Sequence, residues 1–217
     1  MKKTLSFAIA AIAAATFSVS ANASTFISDN FTRVSPAENL VALFAANAGA
    51  TTTGTYTGFV EILVSGSGFS LGSAINDAFY LTQSGQGLAN NFYHLGLGTS
   101  AQPWNVASVN TPALGVERFM SFIDGVGSSG PGSIPGFNSD SNYNFVIDLS
   151  SQSSQLTFGV LDGIYSDNGG AYQLSVWQLR PGAPAVPEPA TWLMMIVGFG
   201  AVGAAVRRNS APTPRLA

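Results

Sequence analysis

The chain has 217 residues, no cysteine, 9% charged residues and a formal net charge of −3. Without cysteine, disulfides, thiolate zinc sites and cysteine nucleophiles are excluded. With charge so far below the roughly 25% usual in soluble domains, solubility rests on hydroxyl and amide groups. Between Ser24 and Pro189, eleven acidic residues face only Arg33, Arg118 and Arg180, a net charge near −8. That argues against a nucleic-acid partner, whose phosphates need Lys and Arg, and permits cation binding without requiring it.

Residues 1–23 carry Lys2 and Lys3, an apolar stretch from Leu5 to Val19, and the small-x-small run Ala21-Asn22-Ala23 before Ser24. This order of charge, apolar core and cleavage site predicts a signal peptide cut between Ala23 and Ser24, and export by the Sec machinery.

The stretch FTRVSPAENLVALFAAN predicts the one helix of the body, over about 36–46. Ser35 and Glu38 form an S-x-x-E capping box, Pro36 takes the first helical position, and Leu40, Val41, Leu43 and Phe44 give an apolar stripe. After it the period falls to two. Runs at about 56–65, 77–82, 91–97 and 115–123 read as short strands separated by Gly/Ser/Asn/Pro clusters. Residues 125–142 read as a mobile surface loop. Three half-buried strands follow, with Tyr143, Phe145, Ile147 and Leu149 on one face of the first, Leu156, Phe158 and Val160 on the second, and Tyr172, Leu174 and Val176 on the third. Seven or eight such strands with one helix predict an all-β antiparallel sandwich, jelly-roll or immunoglobulin-like, over 24–180.

Chemistry is sparse in this body. His94 is the only histidine, lies in a strand pattern, and has no G-x-S-x-G nucleophile turn to serve. Glu61, Asp77, Glu117, Asp124 and Asp148 supply carboxylates for glycosidase-type chemistry, yet no spacing singles out a pair. In SDNGG and the residues before it, Asp162, Asp167 and Asn168 are hard oxygen ligands suited to Ca²⁺. Asn and Gly there also suit a hairpin turn, and Asn76-Asp77 offers either extra oxygens for the cation or an Asx turn before a strand. Tyr165 to Trp177 is similar to the last hairpin of certain calcium-dependent bacterial jelly-roll lectins, which implies calcium and sugar binding.

Residues 181–189, PGAPAVPEP, read as a stiff Pro-rich spacer. From Ala190 to Val206 no residue carries a formal charge, and Arg207-Arg208 follow. At about 1.5 Å per residue a helix here reaches roughly 26 Å, just enough to span a hydrocarbon core of about 30 Å, with its N-terminus outside by the positive-inside rule. Residues 209–217 then form a cytoplasmic tail.

VPEPATWLMMIVGFGAVGAAVRR, Val186 to Arg208, resembles the PEP-CTERM sorting signal. Pro187, Glu188 and Pro189, then Trp192, the Met pair, Gly198 and Gly200 around Phe199, and Arg207-Arg208 carry the likeness. Leu193 stands where Ala commonly follows the Trp, and the chain continues past the Arg pair. The resemblance implies a Gram-negative export system in which an exosortase, an integral-membrane cysteine transpeptidase, reads the Pro-Glu-Pro and processes the tail. It also implies association with exopolysaccharide or biofilm. The expected protein is exported, briefly anchored, then released to the cell surface or matrix in a structural or adhesive role, without enzymatic activity. A calcium-dependent carbohydrate-binding module and an extracellular polymer hydrolase are the alternatives.

Overall fold

The computed structural model describes residues 30–46, 48–70, 74–83, 89–91, 93–108, 110–121, 130–182 and 189–209. The expected signal peptide with Ala21, Ala23 and Ser24, the residues Pro187 and Glu188, Asp124, and the tail beyond 209 lie outside them. The described residues fall into two units divided between Pro181 and Gly182.

In the first unit the described strands are, in order, β1 (Phe31–Arg33), β2 (Glu38–Leu43), β3 (Ala50–Thr51), β4 (Phe59–Ser65), β5 (Gly68–Ser70), β6 (Ala74–Asn76), β7 (Tyr80–Gln83) and β8 (Ala89–Asn91). They continue with β9 (Leu95–Thr99), β10 (Phe119–Ser121), β11 (Gly130–Pro131), β12 (Asn142–Asp148), β13 (Leu156–Val160) and β14 (Gly169–Pro181). All pairings among them are antiparallel. A large sheet runs β11-β10-β12-β4-β14-β5-β6-β7-β8, with β1 and β2 also on β14, and a small sheet runs β3-β13-β9.

β14 is the longest strand and is paired along both edges. On one edge β4 covers Gln173 to Gln178, and β5 continues the same register at Gly169 and Gly170. Between β4 and β5 the chain passes through Gly66 at φ +103°, a conformation that favours glycine. On the other edge β2 faces Ala171 to Val176 and β1 faces Leu179 to Pro181, with Val34 to Ala37 bulging between them. Pro181, expected in the spacer, is thus the last residue of this strand.

The helix expected over 36–46 is the clearest correction. Glu38–Leu43 is a strand, because the free edge of β14 offers it a ladder of six residue pairs. The apolar stripe splits accordingly: Ala42 and Phe44 are fully buried, while Val41 and Leu43 are exposed. The capping-box residues serve other neighbours. The Ser35 hydroxyl accepts from the Gln178 backbone N–H, and the Glu38 carboxylate accepts from Thr53 N–H, Gly54 N–H and the Tyr56 hydroxyl. Tertiary pairing has overridden local helix signals.

One buried cluster joins both sheets. Val60, Ile62 and Val64 of β4, Tyr143, Phe145 and Ile147 of β12, and Tyr172, Leu174 and Val176 of β14 pack with Leu97 of β9 and Leu156, Phe158 and Val160 of β13. Phe79 meets Tyr143, Phe145 and Phe119 edge-on, with centroids 5.3, 5.2 and 6.3 Å away, the geometry aromatic quadrupoles favour.

β12 is not half-buried as its alternation suggests. Val146, on its other face, is also fully buried, in a second cluster with Phe31 and Leu179. On that face Glu61 is fully buried and receives both Nε (2.7 Å) and a terminal nitrogen (2.6 Å) of Arg33, with Asn144 Nδ2 donating at 3.0 Å. Arg33 in turn lies 4.2 Å over the Trp177 ring. Part of the predicted loop 125–142 is also ordered against the body: β11 pairs with β10, Tyr80 donates to the Pro135 carbonyl at 3.0 Å, and Phe137 packs edge-on to Tyr80.

Replacing Arg33 by Leu strands the Glu61 carboxylate inside the sheet and should cost about 3 kcal/mol in urea unfolding. Replacing both Arg33 and Glu61 by Leu should cost clearly less than the single change. A double variant as unstable as Arg33→Leu would show that the ion pair is not what fixes this face.

Candidate functional site

Of the carboxylates that the sequence offers for catalysis, the four among the described residues each have a separate place in the fold. Glu61 is the buried partner of Arg33. Asp77 is inside the core, its Oδ1 accepting from Phe79 and Tyr80 N–H as the expected Asx turn and its Oδ2 accepting from the Tyr143 hydroxyl at 2.5 Å. Glu117 is exposed in a single 3-10 turn, Val116–Arg118. Asp148 accepts from Ser150 N–H at 2.6 Å.

His94 belongs to a polar network threaded through the apolar core. Tyr172 donates its hydroxyl to the Asp77 carbonyl at 2.9 Å, and its oxygen lies 2.7 Å from His94 Nδ1. The hydroxyl has one proton, already donated, so Nδ1 is the donor to it in the neutral ring. The Phe44 ring packs against both His94 and Tyr172, centroids 5.1 and 4.6 Å away. His94 and Tyr172 therefore help tie the large sheet to the Asp77 turn.

The Asp162–Asn168 segment is not a hairpin turn. It carries the chain from β13, in the small sheet, to β14, in the large one. Two of the three expected metal ligands come together: Asn168 Nδ2 donates to Asp162 Oδ2 at 2.9 Å, and Ile164 N–H donates to Oδ1 at 3.1 Å. Asp167 is exposed in the 3-10 turn Tyr165–Asp167. Among the described residues, no group of three or more His, Cys, Asp and Glu side chains is placed to hold a metal ion.

What the sequence did not reveal is a cleft of about 270 Å³ that this segment walls together with Trp104–Ser108. Its lining includes Trp104, Asn105, Ser108, Asp162, Gly163 and Tyr165. The Trp104 ring is 5% exposed and lies against glycines. A Cβ on Gly49, Gly96 or Gly159 would run into the indole. Gly159 sits opposite Gly96 in the register, so the two adjoining strands present a bare patch of backbone to the ring. The Trp104 backbone N–H donates to Thr157 Oγ1 at 3.1 Å. Alternating glycines in LGLG of β9, matched by Gly159 in β13, were the sequence signal for such a close approach.

Gly159→Ala should therefore destabilise by about 1–3 kcal/mol through overpacking. Gly163→Ala, where an added Cβ meets nothing within 4 Å, should stay within about 0.5 kcal/mol of the wild type. Equal effects in thermal unfolding would contradict the glycine floor. A second expectation concerns acid. Burial holds the His94 imidazole down to about 4, with the Asp162 carboxylate pulling upward. The unfolded chain takes up this proton first, so stability contributed by neutral His94 is present above about pH 6.5 and lost as the pH falls to about 4, roughly 3 kcal/mol in all. Asp77 opposes it: burial raises its carboxyl above the usual range despite the hydrogen bonds from Tyr143, Phe79 and Tyr80, so the folded state gains as the pH falls through that raised value. In His94→Asn, stability should fall less between about pH 7 and pH 4.5 than in the wild type. Parallel pH profiles would refute a neutral buried His94.

The second unit contains α1 (Pro189–Asn209). Its backbone carries Trp192, Gly198, Gly200, Arg207 and Arg208, and it exposes Leu193, Met194, Met195, Ile196, Val197, Phe199 and Val202. Five consecutive exposed side chains among these place apolar surface on every side of the helix. Among the described residues, no helix is long and apolar enough to cross a membrane. Neither the curated proteins nor the solved structures contain a match to the chain. One family model does match, the PEP-CTERM protein-sorting motif, over residues 185–209. That span takes in Pro187, Glu188 and Pro189 together with the whole of α1. The chain is therefore a protein that carries a C-terminal PEP-CTERM sorting motif.

Proposed function

We propose that this is an exported protein whose tail is an address, read and removed by an exosortase, and whose β-rich body then serves a structural or adhesive role at the cell surface or in the extracellular matrix. The sorting motif at residues 185–209 carries the proposal. Before processing, α1 would lodge in the membrane. Apolar surface on every side of the helix suits hydrocarbon better than water, and Arg207-Arg208 would remain on the cytoplasmic side. The signal peptide over 1–23 would supply export with the matching orientation.

In this proposal the body is a two-layer β-sandwich that acts by placement and surface binding, and makes or breaks no bonds itself. A core shared by two antiparallel sheets supports the sandwich. Glu61 and Asp77, engaged inside the fold, support a non-catalytic body. The partners in this scheme are the Sec machinery, the exosortase and extracellular polysaccharide.

Intact-mass spectrometry of the protein from its native envelope and medium tests the address. The wild type should lack residues 1–23 and everything after the Pro-Glu-Pro region, whereas Glu188→Ala should keep Ala190 to Ala217. A wild-type chain found in the membrane with its tail intact would overturn processing and leave an ordinary anchored protein.

A further inference from the structure

We propose that the cleft between Trp104–Ser108 and Asp162–Tyr165 is a binding site for one ring of a neutral sugar. Four observations converge there. The cleft measures about 270 Å³, below the roughly 300–1,000 Å³ of pockets that enclose drug-sized ligands, so it takes a single ring of a longer chain. Asp162, Asn105 and Ser108 line it with a carboxylate, an amide and a hydroxyl, the group types that pair with sugar hydroxyls. The Asp162 carboxylate is held in place before any ligand arrives, by Ile164 N–H at one oxygen and Asn168 Nδ2 at the other. Each oxygen retains a second acceptor position for a ligand hydroxyl.

The fourth observation is the apolar surface beside these groups. Tyr165 lines the cleft, with its hydroxyl donating to the Val160 carbonyl at 3.2 Å. Trp104, Ala107 and Leu161 complete the apolar part of the lining. Polar groups beside aliphatic and aromatic surface match a pyranose, whose hydroxyls ring its edge and whose C–H groups form its faces.

The chemistry also selects against other ligands. Among the described residues the cleft lining contains no Lys, Arg or His, so a uronate, sulfate or phosphate would meet Asp162 with no compensating positive charge. A cation would find Asp162 as the one carboxylate among the described lining residues, and no group of three or more His, Cys, Asp and Glu side chains among the described residues is placed to hold a metal ion. Asn168 itself is 8% exposed, and among the described residues its Oδ1 has no hydrogen-bond partner. Nδ2 faces the carboxylate, so this arrangement orients Asp162 as an acceptor for hydroxyls.

The assignment deepens the surface-binding role proposed above, and its test does not depend on the tail. Full-length protein in detergent would be titrated with maltotriose, cellotriose and chitotriose, and with trigalacturonate as the anionic control, by saturation-transfer NMR with EDTA present. The expected result is saturable binding of at least one neutral trisaccharide and none of trigalacturonate. Asp162→Ala should weaken binding about tenfold or more. Because Asp162 also braces its own loop, Gly163→Tyr is the companion variant. Its side chain enters open space and should block binding while thermal unfolding stays at the wild-type value. Three results would overturn the proposal: no neutral trisaccharide binds, Gly163→Tyr binds as well as the wild type, or binding appears only when calcium replaces EDTA. Failure here would leave tail processing intact, and failure of processing would leave sugar binding intact.

Discussion

The fold depends on β14 being paired along both edges. A strand of thirteen residues places a backbone donor or acceptor at every step toward one neighbour or the other, and each one buried without a partner costs about 1–3 kcal/mol. β4 and β5 satisfy one edge, and β2 and β1 the other. The N-terminal segment is therefore committed to the sheet before its own helical preferences count. The four-residue excursion Val34 to Ala37 absorbs the register shift between β1 and β2, fixed by Val34 N–H on the Gln178 carbonyl and by Ser35 beneath the Gln178 N–H.

From that strand the rest follows by packing. The inward residues Tyr172, Leu174 and Val176 share a core with the small sheet, and Tyr172 reaches past it to the Asp77 carbonyl and His94. A polar chain through an apolar core is tolerable only when its members are satisfied. Here each hydroxyl has a defined acceptor: Tyr143 donates to the Asp77 carboxylate and Tyr172 to the Asp77 carbonyl. The network gives the interior a unique arrangement that aliphatic packing alone would specify less sharply.

How much of this was legible depended on where the information lay. The alternation in β12, β13 and β14 is local, and the residues predicted to face inward there are buried. The second buried face of β12 was not legible, since Phe31 and Leu179, which cover Val146, come from distant stretches of chain. The 36–46 stretch failed because a capping box, a Pro and a mixed apolar run describe a helix only when no sheet edge competes for the same backbone. SDNGG failed for a related reason: the residues suit a hairpin, but whether adjacent strands share a sheet is a global property, and β13 and β14 do not. The Asp162–Asn168 contact was half-visible as a pair of oxygen-bearing side chains, while the cleft beside it needed Trp104, which lies more than fifty positions away. The tail was the most legible segment, because a sorting signal is read as a linear order of residues and needs no tertiary contact to be recognised.

The charge pattern connects body and tail. Apart from Glu188, the acidic residues belong to the body or its immediate flanks, whereas five of the eight basic residues sit in the terminal segments. Removal of both ends would leave a body near −8 carrying three arginines, one of which, Arg33, is engaged with Glu61 and Trp177. A surface of that sign repels polyanions at distances up to about a Debye length, near 10 Å in dilute salt. Among extracellular polymers, acidic polysaccharides and nucleic acids are disfavoured on approach, while neutral chains incur no such penalty. In the proposed scheme, long-range electrostatics and the Trp104–Asp162 cleft would select for the same class of partner, one by excluding charge at a distance and the other by recognising hydroxyls at contact.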